Sequence, residues 1–379
     1  MPQRRYASVH VVGTNGKSSA VALTSALLER SGLATGAYVS PHARRWSERV
    51  CVRGREIGAD QFAEAVGRVA EAVPAVERQL EPGDVVTQFE AATAAAFVAL
   101  ATAGVEVAIV EAGLGGRLDA TNVLPSRVTA LTSIGLEHTA YLGETEVEIA
   151  AEKLAVLNEH SALVCGRLSG EVSALAKRTA AERHARFVDA SVPAAVPALA
   201  RRAPYLARNL AVAVAAAQEI AGPLAGGLVS DVAAGLPLAG RMELREGDPP
   251  ELRDAAHNPD GARALAEALN GVAAGRPIVA CVAVLEGKDA GAMLEALAPH
   301  LAAVVATHLP SESLAGGGRP GAASLPTAAL AAAASAAGLG EVHEVDDPAV
   351  AIERARELAR ERGGVALVTG SHYLLGYGS

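Results

Sequence analysis

A short loop between a predicted strand and a predicted helix carries residue types that suit phosphate binding. Its members, in chain order, are Gly13, Thr14, Asn15, Gly16, Lys17, Ser18 and Ser19. Glycines let the backbone turn tightly over phosphates, and the N–H groups at a helix N-terminus attract an anion. The lysine would place its charge near the β- and γ-phosphates of a nucleotide, and Ser18 could reach Mg²⁺. Val11 stands where the usual nucleotide loop begins with glycine, so this is a shorter variant. A glycine turn with a surface lysine is the simpler alternative.

A second glycine-rich run, Glu111-Ala-Gly-Leu-Gly-Gly-Arg-Leu-Asp119-Ala-Thr-Asn122, follows a strongly apolar predicted strand. In an open parallel sheet, ligands bind beyond the carboxyl ends of the strands. Because Mg²⁺ prefers oxygen ligands, Glu111 is a candidate metal ligand. The alternative is a glycine-rich connection in which Glu111 caps a helix.

Two further candidates follow the next predicted strand. His138 ends the run Ser133-Ile-Gly-Leu-Glu-His, and Lys153 lies on the helix after it. A single histidine is more often a structural residue than a ligand. Its expected position, at the same sheet edge as Lys17, Ser40 and Glu111, favours a functional role.

The chain beyond residue 238 contains two candidates for nucleotide binding. Arg241 follows Leu238-Ala-Gly, and its planar guanidinium could donate to a phosphate. Asp254 begins the run Asp-Ala-Ala-His-Asn-Pro and could accept hydrogen bonds from ribose hydroxyls. Taken alone, a surface arginine and a helix N-cap are the more frequent explanations of such residues.

Apolar strands alternate with alanine-rich helical segments along most of the chain, which predicts parallel sheets covered by helices. Predicted helices include 17–30, 60–72 (disturbed by Pro74), 88–103, 145–158 and 208–220. Predicted strands include 8–12, 105–110, 128–134, 252–254, 277–284, 302–307 and 365–369. A flexible loop is expected at 316–321. A change of composition at 235–241 predicts a domain boundary, which gives one domain over 1–237 and a second over 238–379.

Composition excludes several other classes of protein. A length of 379 residues suits two domains. The longest apolar stretch, 91–110, is interrupted by polar residues and indicates a helix, turn and strand, not a membrane span. The net charge is −9 with both signs interleaved, so no basic block could bind nucleic acid. Three scattered cysteines, Cys51, Cys165 and Cys281, fit a reducing compartment. We therefore expect a cytoplasmic protein with neither a nucleic-acid nor a membrane partner.

Taken together, these segments closely resemble folylpolyglutamate synthase and dihydrofolate synthase, a branch of the Mur-type amide ligases. The matching runs follow the family's order and span nearly the whole chain. They are H-V-V-G-T-N-G-K-S-S, S-P-H, T-Q-F-E-A-A-T, E-A-G-L-G-G-R-L-D-A-T-N, S-I-G-L-E-H, I-A-A-E-K, L-A-G-R, D-A-A-H-N-P and T-G-S-H-Y. The resemblance implies an N-terminal P-loop-type nucleotide-binding sheet domain followed by a C-terminal Rossmann-like α/β domain.

The resemblance also implies a role for each site residue. ATP would be bound by the loop from Gly13 to Ser19, and from across the cleft by Asn209, Arg241 and Asp254. Two Mg²⁺ ions would be held by Ser40, Glu111, His138 and Lys153, the lysine as a carbamate. Catalysis would involve Lys17, His138 and Lys153. The substrate site would include Thr87, Phe89, Leu118, Asp119, Ala120 and His257.

The implied reaction activates a carboxylate as an acyl phosphate and joins it to an amine. The expected partners are ATP, L-glutamate and a folate or dihydropteroate, with a possible requirement for a monovalent cation and a monomeric enzyme. Two alternatives stay open. One is a Mur-type ligase acting on another carboxylate, such as a cell-wall precursor, and the other is a non-catalytic ATP-binding relative.

Overall fold

The protein divides into two compact units in a computed structural model that describes residues 1–42, 44–316 and 321–378. The first unit comprises Met1–His42, Trp46–Val196 and Ala207–Leu236. The second comprises residues 44–45, Pro197–Leu206 and the chain from Pro237 onward. The sequence did not indicate that Pro197–Leu206 packs with the second unit. The domain ranges 1–237 and 238–379 stay a prediction.

The first unit is built on a mostly parallel sheet that has eight strands within the described residues, in the order β4-β3-β2-β5-β1-β6-β7-β8. Its strands are β1 (Ala7–Val12), β2 (Thr35–Tyr38), β3 (Val50–Val52), β4 (Arg55–Glu56), β5 (Val107–Glu111), β6 (Val128–Leu131), β7 (Ala162–Cys165) and β8 (Arg186–Asp189). The helices up to residue 235 are, in chain order, α1 (Lys17–Arg30), α2 (Ala59–Glu77), α3 (Gln88–Thr102), α4 (Thr139–Leu142), α5 (Glu146–Leu154), α6 (Gly170–Glu182), α7 (Pro197–Arg202), α8 (Pro204–Ala221) and α9 (Gly226–Gly235). Of these, α7 and the first residues of α8 belong to the second unit.

Four adjacent parallel strands, β2, β5, β1 and β6, form the centre of this sheet. Strands β1 and β5 are almost wholly buried, as expected for strands covered on both faces. The carboxyl ends of parallel strands meet at one edge, so the segments after these four strands lie side by side. Those segments contain Ser40, Glu111, the Gly13–Ser19 loop and His138.

Helix α2 differs from the prediction because it runs from Ala59 to Glu77 and includes Pro74. Proline removes one helical hydrogen bond, here the one to the carbonyl of Ala70. Ala70 is exposed, so water can satisfy that carbonyl. Helix α5 is also shorter than predicted and ends at Leu154.

The second unit contains a six-stranded sheet within the described residues, in the order β13-β12-β11-β14-β10-β9, with only β9 antiparallel. Its strands are β9 (Glu243–Arg245), β10 (Glu251–Arg253), β11 (Ile278–Val282), β12 (Ala303–Ala306), β13 (Val342–Glu344) and β14 (Val365–Thr369). Its helices are α10 (Pro259–Ala273), α11 (Ala290–Leu297), α12 (Ser311–Gly316), α13 (Thr327–Ala336) and α14 (Pro348–Glu361). The α/β prediction is confirmed for both sheets. The flexible loop expected at 316–321 falls largely on 317–320, outside the described residues.

A buried arginine ties the last residues of the chain to the second sheet. Arg253 on β10 is fully buried and forms an ion pair with Glu251, which also accepts from Arg356 at 2.6 Å. The other nitrogens of the Arg253 guanidinium donate to the backbone carbonyls of Leu375, Tyr377 and Gly378 at 2.8–3.0 Å. This charge is stable inside the protein because all three guanidinium nitrogens donate hydrogen bonds and one of them pairs with a carboxylate.

We predict that Arg253→Met lowers the free energy of unfolding of the second unit by about 3 kcal/mol, because it removes one cation from the buried Glu251 carboxylate and leaves three backbone carbonyls without their donors. Urea denaturation followed by circular dichroism measures the change. The matched control is Arg263→Met, which removes an exposed pair with Asp260 and should cost under about 1 kcal/mol. Equal shifts in the two variants would contradict the structural role of Arg253.

Candidate active site

The loop between β1 and α1 is packed so closely that its two glycines have no room for a side chain. Gly13 has a φ of +144°, and a Cβ there would lie 2.1 Å from Oγ1 of Thr132. Gly16 has a φ of +86° and caps α1, and its Cβ would lie 2.3 Å from Oδ1 of Asn209. The loop therefore has bare backbone at two positions and leads directly into a 14-residue helix, an arrangement that suits a phosphate site. Asn209 lies against it, as its predicted role requires.

The residues after β6 hold this loop in place. Thr14 N donates to the carbonyl oxygen of Ser133 at 2.8 Å, and Oγ1 of Thr132 donates to the carbonyl oxygen of Asn15 at 2.6 Å. Oγ of Ser133 also donates to Asn15 O at 3.0 Å. The conformation of the loop is thus set by a neighbouring strand end as well as by its glycines.

Lys17 and Ser18 begin α1 and point to two different parts of the site. Nζ of Lys17 donates to the carbonyl oxygens of Gly13 and Thr14, at 2.9 and 3.1 Å, which keeps the positive charge over the loop. Oγ of Ser18 donates to Oε1 of Glu111 at 3.1 Å. Ser19, in contrast, is buried inside α1, with only 2% of its surface exposed.

Glu111 and Ser40 follow neighbouring strands at this edge. Glu111 is the last residue of β5, and its side chain is 2% exposed. Ser40 is partly exposed two residues beyond β2, in a segment anchored by buried His42. Nε of Arg49 donates to Nδ1 of His42 at 2.8 Å, and the Trp46 ring lies against both side chains.

His138 adopts a backbone conformation that is uncommon for a non-glycine residue. Its φ of 54° and ψ of 39° lie in the left-handed region, at the N-cap of the short helix α4. Residues held in this region are enriched at functional sites. Its imidazole is partly exposed at the same sheet edge as the Gly13–Ser19 loop.

Lys153 on α5 is buried, with 5% of its side chain exposed. Burial, and secondarily the charge of Lys17, lowers the pKa of its amine to about 7, against the opposing effect of nearby carboxylates. The glycine-rich loop after β5 packs directly on this part of α5, because a Cβ at Gly116 would lie 2.6 Å from the carbonyl oxygen of Glu152. Glu152 also accepts from the backbone N–H of Arg117 at 3.0 Å.

Asp119 organises the same glycine-rich loop from within. Its two carboxylate oxygens accept from the backbone N–H groups of Leu114 and Thr121, at 2.8 and 3.0 Å. The Phe89 ring packs against Gly113, where a Cβ would lie 2.4 Å from Cζ and 3.1 Å from Oδ2 of Asp119. Phe89 and Asp119 are therefore close together, as their shared prediction requires.

Three other predicted substrate residues have distinct local environments. Leu118 is 92% exposed and offers an apolar surface, and Ala120 starts a 3₁₀ turn after Asp119. Thr87 caps α3 by accepting from Glu90 N at 3.2 Å, and its hydroxyl donates to Glu90 Oε2 at 2.7 Å. The Thr87 hydroxyl thus has a structural use that the sequence prediction did not include.

The remaining predicted residues belong to the second unit. Arg241 and Asp254 both lie near Tyr205, since the charges of both affect its hydroxyl. Nη1 of Arg241 donates to the carbonyl oxygen of Gly240 at 2.8 Å. His257 uses Nδ1 to contact the carbonyl oxygen of Ala255 at 2.9 Å.

A buried histidine in β1 was not identified as part of the site. His10 is fully buried, and its Nε2 lies 2.7 Å from Oγ1 of Thr121, which donates in turn to Asp119. Nδ1 of His10 has no hydrogen-bond partner among the described residues. Burial lowers the pKa of His10 to about 4, so the imidazole is neutral at pH 7. The sequence feature that could have identified His10 as part of the site is a single histidine within an apolar strand.

The oxygen donors at this edge suit a hard divalent cation. They are the buried Glu111 carboxylate beside the Ser18 hydroxyl, and Ser40 after the neighbouring strand β2, while His138 follows β6 at the same edge. No group of three His, Cys, Asp or Glu side chains lies close enough to hold a metal within the described ranges. A site here would therefore need ligands from outside those residue types, such as a hydroxyl, a modified lysine, phosphate oxygens or water.

Comparisons with known proteins identify the class and the family. The model of the Mur ligase glutamate ligase domain matches residues 240–372, and this match, with the sheet and phosphate-type loop of the first unit, defines a Mur-type ligase. The dihydrofolate synthase/folylpolyglutamate synthase of Mycobacterium tuberculosis is 31% identical over 346 residues, covering 81% of this chain and 71% of that protein. The Bacillus subtilis protein of the same name is 31% identical over 297 residues, covering 71% and 68%. The chain belongs to the dihydrofolate synthase/folylpolyglutamate synthase family.

Solved structures agree with this assignment. Folylpolyglutamate synthase of M. tuberculosis complexed with ADP and AMPPCP has a TM-score of 0.88 at 30% identity and covers 99% of this chain and 90% of that one. The Yersinia pestis bifunctional synthase complexed with AMPPNP and Mn ion has a TM-score of 0.83 at 27% identity, covering 99% and 88%. E. coli FolC in complex with DHPP and ADP has a TM-score of 0.82 at 25% identity, covering 99% and 89%. Within the described part of the chain, no helix combines the length and hydropathy needed to cross a bilayer.

We predict that Lys17→Ala reduces ATP-dependent ligation by about 10³-fold or more, because the transferred phosphoryl group loses its nearest fixed positive charge. The melting temperature should change little. Amide product is measured by mass spectrometry. Lys177→Ala, which removes an exposed lysine from α6, is the control and should keep wild-type turnover. Turnover near wild type in Lys17→Ala would contradict the role assigned to the loop.

We also predict a pH dependence of stability from His10. Its folded-state pKa of about 4 lies below the ordinary value of 6.5, so the unfolded chain takes up the proton first as pH falls. The wild type should therefore lose up to about 3 kcal/mol of stability from this group between pH 6.5 and 4. Urea denaturation across this range should show a smaller loss in His10→Gln, and His300→Gln serves as a surface control. Parallel curves for wild type and His10→Gln would refute the prediction.

Proposed function

We propose that this protein uses ATP to join L-glutamate to the carboxylate of a folate or dihydropteroate through an acyl phosphate. The observation that carries the proposal is the loop at Gly13 and Gly16, which is a bare backbone cradle at a helix start. Family membership and the ADP-bound relatives support ATP as the nucleotide. The relative in complex with DHPP supports a pterin substrate.

The proposed reaction has two steps. The carboxylate first attacks the γ-phosphorus of ATP, which forms the acyl phosphate and releases ADP. The amine of glutamate then attacks the acyl carbon, loses a proton and expels inorganic phosphate as the amide forms. The first step is needed because a free carboxylate has no adequate leaving group.

The residues of the first unit would share the work of the first step. Backbone N–H groups at the start of α1 would bind the phosphates, and Lys17 would neutralise charge on the moving phosphoryl group. Mg²⁺, held by Ser40, Glu111, His138 and Lys153, would stabilise charge on the phosphoryl oxygens. Phe89, Leu118 and Asp119 would contact the acceptor, with Asp119 held in place through Thr121 and His10.

A carbamate on Lys153 is part of the proposal. A neutral lysine nitrogen can attack carbon dioxide, and loss of its proton leaves an anionic carbamate. Burial favours that neutral form, since it lowers the pKa of Lys153 to about 7. The product would supply oxygen ligands for a second Mg²⁺. Three further predictions are unchanged: the enzyme requires a monovalent cation, is a monomer and is located in the cytoplasm.

A substrate panel tests the proposed function. The protein is incubated with Mg-ATP, L-glutamate and one acceptor, either dihydropteroate, tetrahydrofolate or a cell-wall peptide precursor. We expect ADP and the new glutamyl amide, in equal amounts, with one or both pterin acceptors. Product only with the cell-wall precursor would support the alternative ligase, and nucleotide binding without product from any acceptor would support a non-catalytic relative.

We predict that Lys153→Ala loses most ligase activity and regains part of it when a small carboxylate such as acetate is added, because the added anion can replace the carbamate. Rates with and without acetate are compared at constant ionic strength. Lys17→Ala is the matched control and should show no rescue, since its lost charge is positive. A mass spectrum of the intact protein showing unmodified Lys153 in carbonate buffer, together with no rescue, would contradict the carbamate.

A further inference from the structure

The carboxylate of Asp254 is almost fully occupied by donors within the second unit. Oδ1 accepts from the backbone N–H of Ala256 at 2.9 Å. Oδ2 accepts from the backbone N–H of Met242 at 3.0 Å and from the Tyr205 hydroxyl at 2.5 Å. The side chain is buried, with 4% of its surface exposed.

The number of unused lone-pair positions on the Asp254 carboxylate limits how many further hydrogen bonds it can accept. An ionised carboxylate offers about four lone-pair positions, two on each oxygen. Tyr205 and Met242 use those of Oδ2, and Ala256 uses one on Oδ1. One position, on Oδ1, remains. Asp254 can therefore accept a hydrogen bond from a single further hydroxyl, and the orientation of the carboxylate decides where that position points.

Tyr205 differs from the two backbone donors because its hydroxyl is the only side-chain donor to this carboxylate among the described residues. It lies in the part of α8 that belongs to the second unit, beside the buried residues Ala203 and Leu206. Burial and the Asp254 carboxylate raise the pKa of Tyr205 well above its ordinary value, so the phenol keeps its proton. A donor to an ionised acceptor makes a strong, directional hydrogen bond.

We propose that Tyr205 is a positioning residue that fixes the Asp254 carboxylate so that its one remaining acceptor position receives one ribose hydroxyl of the nucleotide. This inference rests on the proposed nucleotide-binding role of Asp254. Without the phenol, the carboxylate keeps two backbone donors on different oxygens but loses the side-chain contact that restrains rotation of Oδ2. Preference for that ribose hydroxyl would fall, while contacts to the nucleotide phosphates would be unaffected.

Equilibrium binding of ADP, 2′-deoxy-ADP and 3′-deoxy-ADP by isothermal titration calorimetry tests the proposal independently of turnover. We expect wild type to bind ADP about tenfold more tightly than one of the two deoxy analogues, because one charged hydrogen bond is lost. Tyr205→Phe should reduce this preference to about threefold or less, and Asp254→Ala should abolish it. The deoxy analogue that wild type binds more weakly lacks the recognised hydroxyl, so the ratio of its affinity for each variant to its affinity for wild type reports the phosphate contacts.

The matched control is Tyr6→Phe. The Tyr6 hydroxyl is buried and has no hydrogen-bond partner in the described chain, so this variant removes a phenol oxygen without removing a bond. It should retain the wild-type preference. Tyr205→Met, which also lacks a donor, replaces Tyr205→Phe if the latter does not fold.

Each outcome bears on one of the two proposals. If Tyr205→Phe keeps the full preference, whether or not its melting temperature falls, Tyr205 is a packing residue and the inference is wrong. If Asp254→Ala also keeps it, the nucleotide role of Asp254 fails and the inference fails with it. Absence of ligation with normal nucleotide discrimination would reject the proposed reaction while leaving the role of Tyr205 supported.

Discussion

The site depends on one close approach, that of the β1–α1 loop to the segment after β6 and to Asn209. At Gly13 and Gly16, any side chain would overlap atoms of Thr132 and Asn209. This close approach requires glycine at both positions and holds the loop against the segment after β6. The positive end of the helix and Lys17 then act together on an anion.

A second constraint is the burial of charged groups beside that loop. Glu111 and Lys153 are both nearly inaccessible to water, and each has a local reason for its state. Ser18 donates to the carboxylate, whereas burial and Lys17 favour the neutral amine of Lys153. Gly116 permits the glycine-rich loop to lie directly on the Glu152 and Lys153 backbone. The glycines of this family motif are thus needed for packing against α5 as well as for turning the chain.

Helix and strand bounds that depend on local sequence patterns could be predicted from the sequence. Helix α1 begins and ends where predicted, and β14 has its predicted bounds, because glycine turns and apolar runs mark both. Contacts between segments that are distant in the chain are not marked by any local sequence pattern and were not predicted. The donation from Thr132 to Asn15 joins residues 117 positions apart, and the contact between His10 and Thr121 joins residues 111 apart. The predicted end of α2 at residue 72 was wrong, because the helix continues through Pro74 and the hydrogen bond lost there falls on the carbonyl of exposed Ala70.

The most direct test of the account follows the oxygen atoms of the substrate carboxylate. The accepting carboxylate is labelled with ¹⁸O, the ligation is run with unlabelled ATP, and inorganic phosphate is analysed by mass spectrometry. Activation as an acyl phosphate predicts one ¹⁸O atom transferred to phosphate for each amide formed. Amide formation with unlabelled phosphate would show that the carboxylate never attacked the γ-phosphorus and would contradict the account.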